Sequence, residues 1–120
     1  WPRYSNNKDY FGGIVAFNME QYKLINGFPN TFWGWGGEDD EMMKRIKEVG
    51  LKPTSPSKGT IEDLENMTLE QKLQFLREHK DWKCKNKWEV LDEHSLNWRT
   101  NGLVDLDYEI LNRQLINNDN

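Results

Sequence analysis

Apolar residues recur at helical spacing in three stretches of this chain. Over 38–49, Met42, Ile46 and Val49 share one face with Met43 alongside, and Gly50 closes the run. Over 19–26 the period is shorter-lived, with Tyr22 and Ile25, or Met19 and Tyr22, on one face. Gly27 suits the residue just past such a helix, and Phe28-Pro29-Asn30 reads as a turn. Thr68-Leu69-Glu70-Gln71 has the form of a capping box. It predicts a helix to about His79, with Leu69, Leu73 and Leu76 as the apolar stripe. Two other stretches follow a strand pattern. Residues 10–17 (YFGGIVAF) read as a buried strand interrupted by a Gly pair, which marks a bulge or a close approach. Residues 103–111 (LVDLDYEIL) alternate in places, with Leu103, Leu106, Tyr108 and Ile110 apolar, and also read as a strand. The prolines at 53 and 56 predict an extended segment over 51–56, and 55–66 is polar and expected to be mobile. Residues 81–97 show no clear period.

Composition narrows the picture. At 120 residues the chain is one small domain or part of a larger one. An apolar content of 36%, a charged content of 30% and a mean hydropathy of −0.94 are lean for a self-sufficient core. Six Trp, five Phe and four Tyr partly compensate, because each aromatic buries a large area. The net charge of −4 argues against a nucleic-acid surface. Lys80, Lys83, Lys85 and Lys87 then read as a solvated helix or loop face, with a local contact to phosphate as the alternative. Cys84 is the only cysteine, which excludes an internal disulfide and a spaced zinc set. No apolar run reaches the length of a membrane span, and no signal-peptide pattern is present. The start at Trp1-Pro2-Arg3 points to a segment of a longer protein, and the Asn-rich end, 117–120, to a frayed tail.

The densest chemistry lies at Trp33-Gly34-Trp35-Gly36-Gly37-Glu38-Asp39-Asp40-Glu41. Indole faces pack on the C–H faces of a pyranose ring, carboxylates accept bonds from its hydroxyls, and glycines let the main chain come close. A saccharide site needs this combination. The plainer alternative is a pair of core tryptophans followed by an acidic first helical turn, which the helix dipole favours anyway. Four adjacent like charges and two neighbouring indoles are costly for a purely structural role, and such local costs point to a site.

These residues also carry a family resemblance. Tyr10-Phe11-Gly12-Gly13, then Ile25-Asn26-Gly27-Phe28-Pro29-Asn30, then Trp33 to Asp40, resemble the β-1,4-galactosyltransferases in order and spacing. Asn101-Gly102-Leu103, with Leu106, Tyr108 and Leu111, resembles the family's aspartate-glycine-leucine strand. The likeness is close over 10–50, moderate over 101–111 and poor over 58–98. It implies an α/β fold of the GT-A type, a small mixed sheet with flanking helices. Residues 1–116 would form the C-terminal, acceptor-side half, packed on an upstream nucleotide-binding half. The implied reaction is inverting β-1,4 transfer of galactose from UDP-galactose to a saccharide acceptor, with Mn²⁺ as cofactor and the Golgi lumen as the place. A half alone is expected to be inactive.

Position by position, the resemblance implies that Asp39 is the general base. Glu38 and Asp40 would position the sugars, Trp35 would close over the donor with Gly36 beside it, and Gly13 would lie against the sugar. Tyr10 would favour galactose over its N-acetylated forms; transfer of N-acetylgalactosamine or N-acetylglucosamine is the variant reading. An acceptor-site tyrosine of the family falls at Asn7. The family's Met-x-x-His pair meets Leu76-Arg77-Glu78-His79, which makes His79 the candidate Mn²⁺ ligand and His94 a weaker one. Most metal ligands, including the aspartate-x-aspartate motif, are expected upstream. Asp105-Leu106-Asp107 fits those letters but reads as strand alternation. A non-catalytic carbohydrate-binding module is the main rival. A Ca²⁺ loop is disfavoured, because such loops space their ligands at alternate positions.

Overall fold

A computed structural model of the chain describes Tyr4, Asn7 and residues 10–114. Five helices follow one another: α1 (Met19–Leu24), α2 (Glu38–Glu48), α3 (Leu69–Glu78), α4 (Lys87–Asp92) and α5 (His94–Asn97). Single 3-10 turns lie at Lys80–Trp82 and Leu103–Asp105. The expected tail at 117–120 lies outside the described residues. No helix among them is long and apolar enough to cross a membrane.

The helices begin where the sequence supplies caps. Asn18 accepts from the Gln21 amide at 2.8 Å, and the Gln21 side chain accepts from the Asn18 amide at 3.1 Å. Thr68 and Gln71 repeat this reciprocal arrangement at the head of α3, as the capping pattern predicted. Past α1 the left-handed position falls on Asn26, and Gly27 follows it in the same conformation. The helix therefore ends one residue earlier than the glycine alone indicated.

α2 is the centre of the fold. Its predicted face holds: Met42 and Ile46 are buried with Ile25, and Phe11, Phe17, Tyr22, Phe28, Val49 and Leu51 pack around them. Each such buried side chain contributes roughly 1.5–3 kcal/mol. On α3 only Leu76 of the expected stripe is buried; Leu69 and Leu73 stay exposed. That helix is instead anchored through Phe75, whose ring stacks on His79 at 4.2 Å and meets Trp82 edge-on at 5.3 Å.

A second face of α2 carries a buried polar hub. Arg45 is fully buried (0% exposed). Its Nε donates to Glu41 at 2.9 Å, and its Nη atoms donate to the carbonyls of Asn26, Gly27 and Asn101. The Asn26 side chain bridges to the Trp98 carbonyl and the Val104 amide. Gly102 sits against this hub at φ 156°, where any Cβ would collide with the Asn26 carbonyl oxygen. The hub fastens the C-terminal residues 98–104 to the turn after α1.

The sheet expectation is corrected. Among the described residues there is no β-strand, and the single ladder element is a parallel bridge between Trp35 and Lys83. Residues 10–17 run without a ladder, and 103–111 begin as a 3-10 turn and continue unpaired. A strand exists only by pairing its backbone groups with a neighbour. The alternation at 103–111 is real in the sequence, but no partner segment lies beside it here.

Candidate active site

The residues at the head of α2 line a concave cleft of about 190 Å³. Tyr4, Asn7, Tyr10 and Phe11 form one wall; Trp35, Gly36 and Gly37 form the rim; Glu38, Asp39, Asp40 and Lys87 form the charged floor. Tyr10, Trp35, Gly36, Glu38, Asp39 and Asp40, all expected at the site from sequence, are therefore brought together. Gly13 is exposed and does not line the cleft. Trp33 is 80% exposed and also outside it, whereas Trp35 is 41% exposed and borders it. The reading of both indoles as core anchors is thereby overturned.

The Trp35 loop is held by main-chain bonds. The Trp35 amide donates to the Trp82 carbonyl at 2.6 Å, and the Cys84 amide donates to the Trp35 carbonyl at 3.1 Å. Gly34 permits this contact: it has φ 94°, and a Cβ there would lie 2.8 Å from the Lys83 carbonyl carbon. A left-handed backbone and close approach of another chain segment are the two conditions only glycine meets cheaply.

The four acids of the first turn have distinct surroundings. Glu38 folds back and accepts from the Gly36 amide at 3.1 Å. Asp40 pairs with Lys87 at 2.6 Å. Glu41 faces away from the cleft into the hub, where it meets Arg45 and, at 2.9 Å, Nδ1 of His94. Its inclusion in a four-carboxylate cluster is thus a misreading; helical spacing leaves it beside Glu38, and it is the pairing with Arg45 and His94 that turns its carboxylate into the hub. Asp39 is half-buried. Burial foremost, then the charges of Glu38 and Asp40, push its carboxyl above the ordinary aspartate range, while Lys87 pulls it down. A carboxylate with raised proton affinity is better suited to accept a proton near neutral pH.

Gly12 fixes where that carboxylate lies. A Cβ at Gly12 would overlap the Asp39 carboxylate and crowd the Tyr10 hydroxyl. The Tyr10 ring is in turn stacked on Tyr4, with centroids 4.3 Å apart. Gly12→Ala is expected to displace Asp39 and Tyr10 by moving side-chain ends only. Turnover should fall by up to about 10²-fold, the scale of a small misplacement of a reacting group, while the melting temperature stays nearly constant. Parallel activity and thermal-melt measurements check this; unchanged turnover would show that the carboxylate position is not critical.

Sequence reading missed Gly12 as a packing residue, although the Gly pair was visible. It placed Lys87 on a solvated face, because no motif links a residue 47 positions downstream to Asp40. His79 does not line the cleft. Its Nδ1 lies 2.9 Å from the Phe75 carbonyl, which can only accept, so Nδ1 is the donor of this bond and Nε2 takes no part in it. His94 is buried against Glu41 and stacks on Trp98 at 6.1 Å, a structural setting. Among the described residues no three His, Cys, Asp or Glu side chains gather as a metal site.

Comparison with known proteins agrees with this geometry. A family model described as the N-terminal domain of galactosyltransferase matches residues 1–71. Human β-1,4-galactosyltransferase 6 is 51% identical over 49 residues, which is 41% of this chain and 13% of the human protein. Zebrafish (Danio rerio) β-1,4-galactosyltransferase 5 is 49% identical over 49 residues, again 41% of this chain and 13% of the relative. Bovine β-1,4-galactosyltransferase 3 is 32% identical over 108 residues, 88% of this chain and 25% of the bovine protein. The chain thus spans between about an eighth and a quarter of the length of these relatives. With the family match extending over more than half its residues, and the cleft assembled from the same motif, the chain belongs to the β-1,4-galactosyltransferase family.

Proposed function

We propose that this chain is the acceptor-side part of an enzyme that transfers galactose from UDP-galactose to a saccharide hydroxyl, with inversion and a β-1,4 linkage. The observation that carries this reading is the cleft in which Trp35, Tyr10, Glu38, Asp39 and Asp40 converge. Asp39 takes the proton from the acceptor hydroxyl as that oxygen attacks the anomeric carbon. The leaving diphosphate departs from the opposite face. One carboxylate on the acceptor side suffices for such a single displacement, as on the base side of an inverting glycosidase. Glu38 and Asp40 accept bonds from sugar hydroxyls and offset the positive charge developing on the ring. Trp35 supplies a stacking face, and Tyr10 narrows the donor side in favour of galactose over N-acetylated sugars.

The cleft is smaller than the roughly 300–1,000 Å³ of complete ligand pockets. That supports an upstream half supplying the remaining wall, in a GT-A arrangement where segments 11–17 and 106–114, which carry no ladder among the described residues, join a shared sheet. The matched family model is described as N-terminal, whereas the motif resemblance puts this segment in the C-terminal half. The full-length reading frame decides: a strand ending in aspartate-x-aspartate upstream of Tyr4 is the expected finding. Mn²⁺, when bound, would neutralise the leaving diphosphate. No three-donor set lies within the described residues, so most ligands would come from that upstream half. His79 is this chain's candidate, its Nδ1–H held by a main-chain carbonyl as ligating histidines commonly are. A Golgi lumenal site accords with the family.

The test is calorimetry of UDP-galactose on the full-length protein with and without Mn²⁺, together with transfer of labelled galactose to a saccharide acceptor. Mn²⁺-dependent binding and transfer are expected. Saccharide binding with no transfer under any metal would replace this reading with a binding module.

A further inference from the structure

Among the described residues that line the cleft, Lys87 is the one cation. Its Nζ lies 2.6 Å from Asp40 Oδ2, and its side chain is only 26% exposed. The stem packs along the main chain of the rim: Cβ atoms built at Gly36 and Gly37 would meet its Cδ at 3.8 Å and its Cγ at 3.2 Å. The ammonium also lies 4.9 Å from the centre of the Trp88 ring. A lysine so placed has surrendered much of its rotamer freedom, a cost that another interaction must offset.

Its place on the chain is unfavourable on local grounds. Lys87 is the first residue of α4, and the Asn86 side chain gives that end no cap. A cation at a helix start opposes the helix dipole, where an acid would be favoured. Within its own helix it gains only the contact with the Trp88 ring. The gain lies across the cleft, where three carboxylates crowd into one turn and a cation relieves their repulsion.

We propose that Lys87 is a positioning residue: it fixes the Asp40 carboxylate against the cleft rim and sets the electric field in which Asp39 accepts its proton. This rests on the reading of Asp39 as the base. The groups facing Asp39 are Glu38 and Asp40 on its own helix, Lys87 from α4, and the phenol of Tyr10 from the facing wall. Among the described residues, Lys87 is the charged group that lowers its proton affinity.

The test uses the full-length protein and the variants Lys87→Met and Lys87→Arg. Methionine keeps the stem and removes the charge, whereas arginine keeps the charge. With Lys87→Met the acidic limb of the kcat/KM–pH profile should move to higher pH, with the proton affinity of Asp39 rising roughly threefold or more. Lys87→Arg should restore the wild-type profile. A carboxyl ¹³C titration, with Asp39 assigned by its loss in Asp39→Asn, should show the same upward move without any appeal to turnover. An unmoved ¹³C midpoint in a folded Lys87→Met protein overturns the proposal. So does an equal loss of activity at every pH that arginine fails to rescue. If wild-type protein transfers no galactose but the midpoint moves, the charge coupling stands and the galactosyltransferase reading is what fails.

Discussion

Replacing Arg45 by alanine is expected to cost about 3–5 kcal/mol of stability, the scale seen when one partner of a buried ion pair is removed. Arg45 is fully buried and satisfies Glu41 and three carbonyls, on Asn26, Gly27 and Asn101. Removal strands a carboxylate whose Oε2 already has no partner, beside His94. It also frees the carbonyls that join the turn after α1 to the C-terminal residues. Small domains hold only about 5–15 kcal/mol in all, so most of the reserve would be spent. The melting temperature of the full-length protein should fall by on the order of 10 °C. Arg45→Lys should recover little, since an ammonium cannot reproduce the planar fork that reaches three directions. The double variant Glu41→Gln, Arg45→Met should lose less than Arg45→Ala, because no unpaired charge is left buried. An Arg45→Ala protein that melts within a degree or two of wild type would show that the hub is not what holds the two ends together.

The hub also shows where sequence reasoning reached its limit. α2 was legible because its evidence is local: Met42, Ile46 and Val49 repeat at the helical period, and Gly50 ends it. The capping pair at Thr68 is local too. Glu41 was not legible as a core residue, since four adjacent acids look alike in a string. The spacing of Glu41 and Arg45, four apart on one helix, was the signal that could have separated it. α4 and α5 are six and four residues long, too brief for any period to emerge. Lys87 reaches Asp40 only because the tertiary fold folds residues 82–88 over the Trp35 loop. The strand expectation at 103–111 failed for the opposite reason. Alternation states which faces a segment has, and says nothing about whether a neighbour is there to pair with it.

Asp39→Asn should reduce turnover by roughly 10²-fold or more, the usual contribution of a positioned general base. Asparagine matches aspartate in shape, so the space beside Gly12 and Tyr10 is filled as before. What disappears is the ability to accept the acceptor proton. The same change should raise stability at neutral pH. In the folded protein burial and the neighbouring carboxylates hold the Asp39 pKa above its unfolded value. The folded state therefore binds this proton more tightly than the unfolded state. Ionised Asp39 costs stability, and the cost grows as pH rises from about 4, the ordinary aspartate value, through the raised folded pKa, and is constant above it. The variant should accordingly melt at a higher temperature than wild type at pH 7 and at the same temperature below about pH 4. Loss of rate with gain of stability is the signature of a strained functional carboxylate. In the wild type, kcat/KM should rise with pH through the titration of Asp39, since only the ionised form is a base. Melting curves and initial rates across pH 4–8 test both arms on one pair of proteins. Full turnover in Asp39→Asn would remove Asp39 from the reaction, and a lower melting temperature at pH 7 would mean the carboxylate is there to hold the fold.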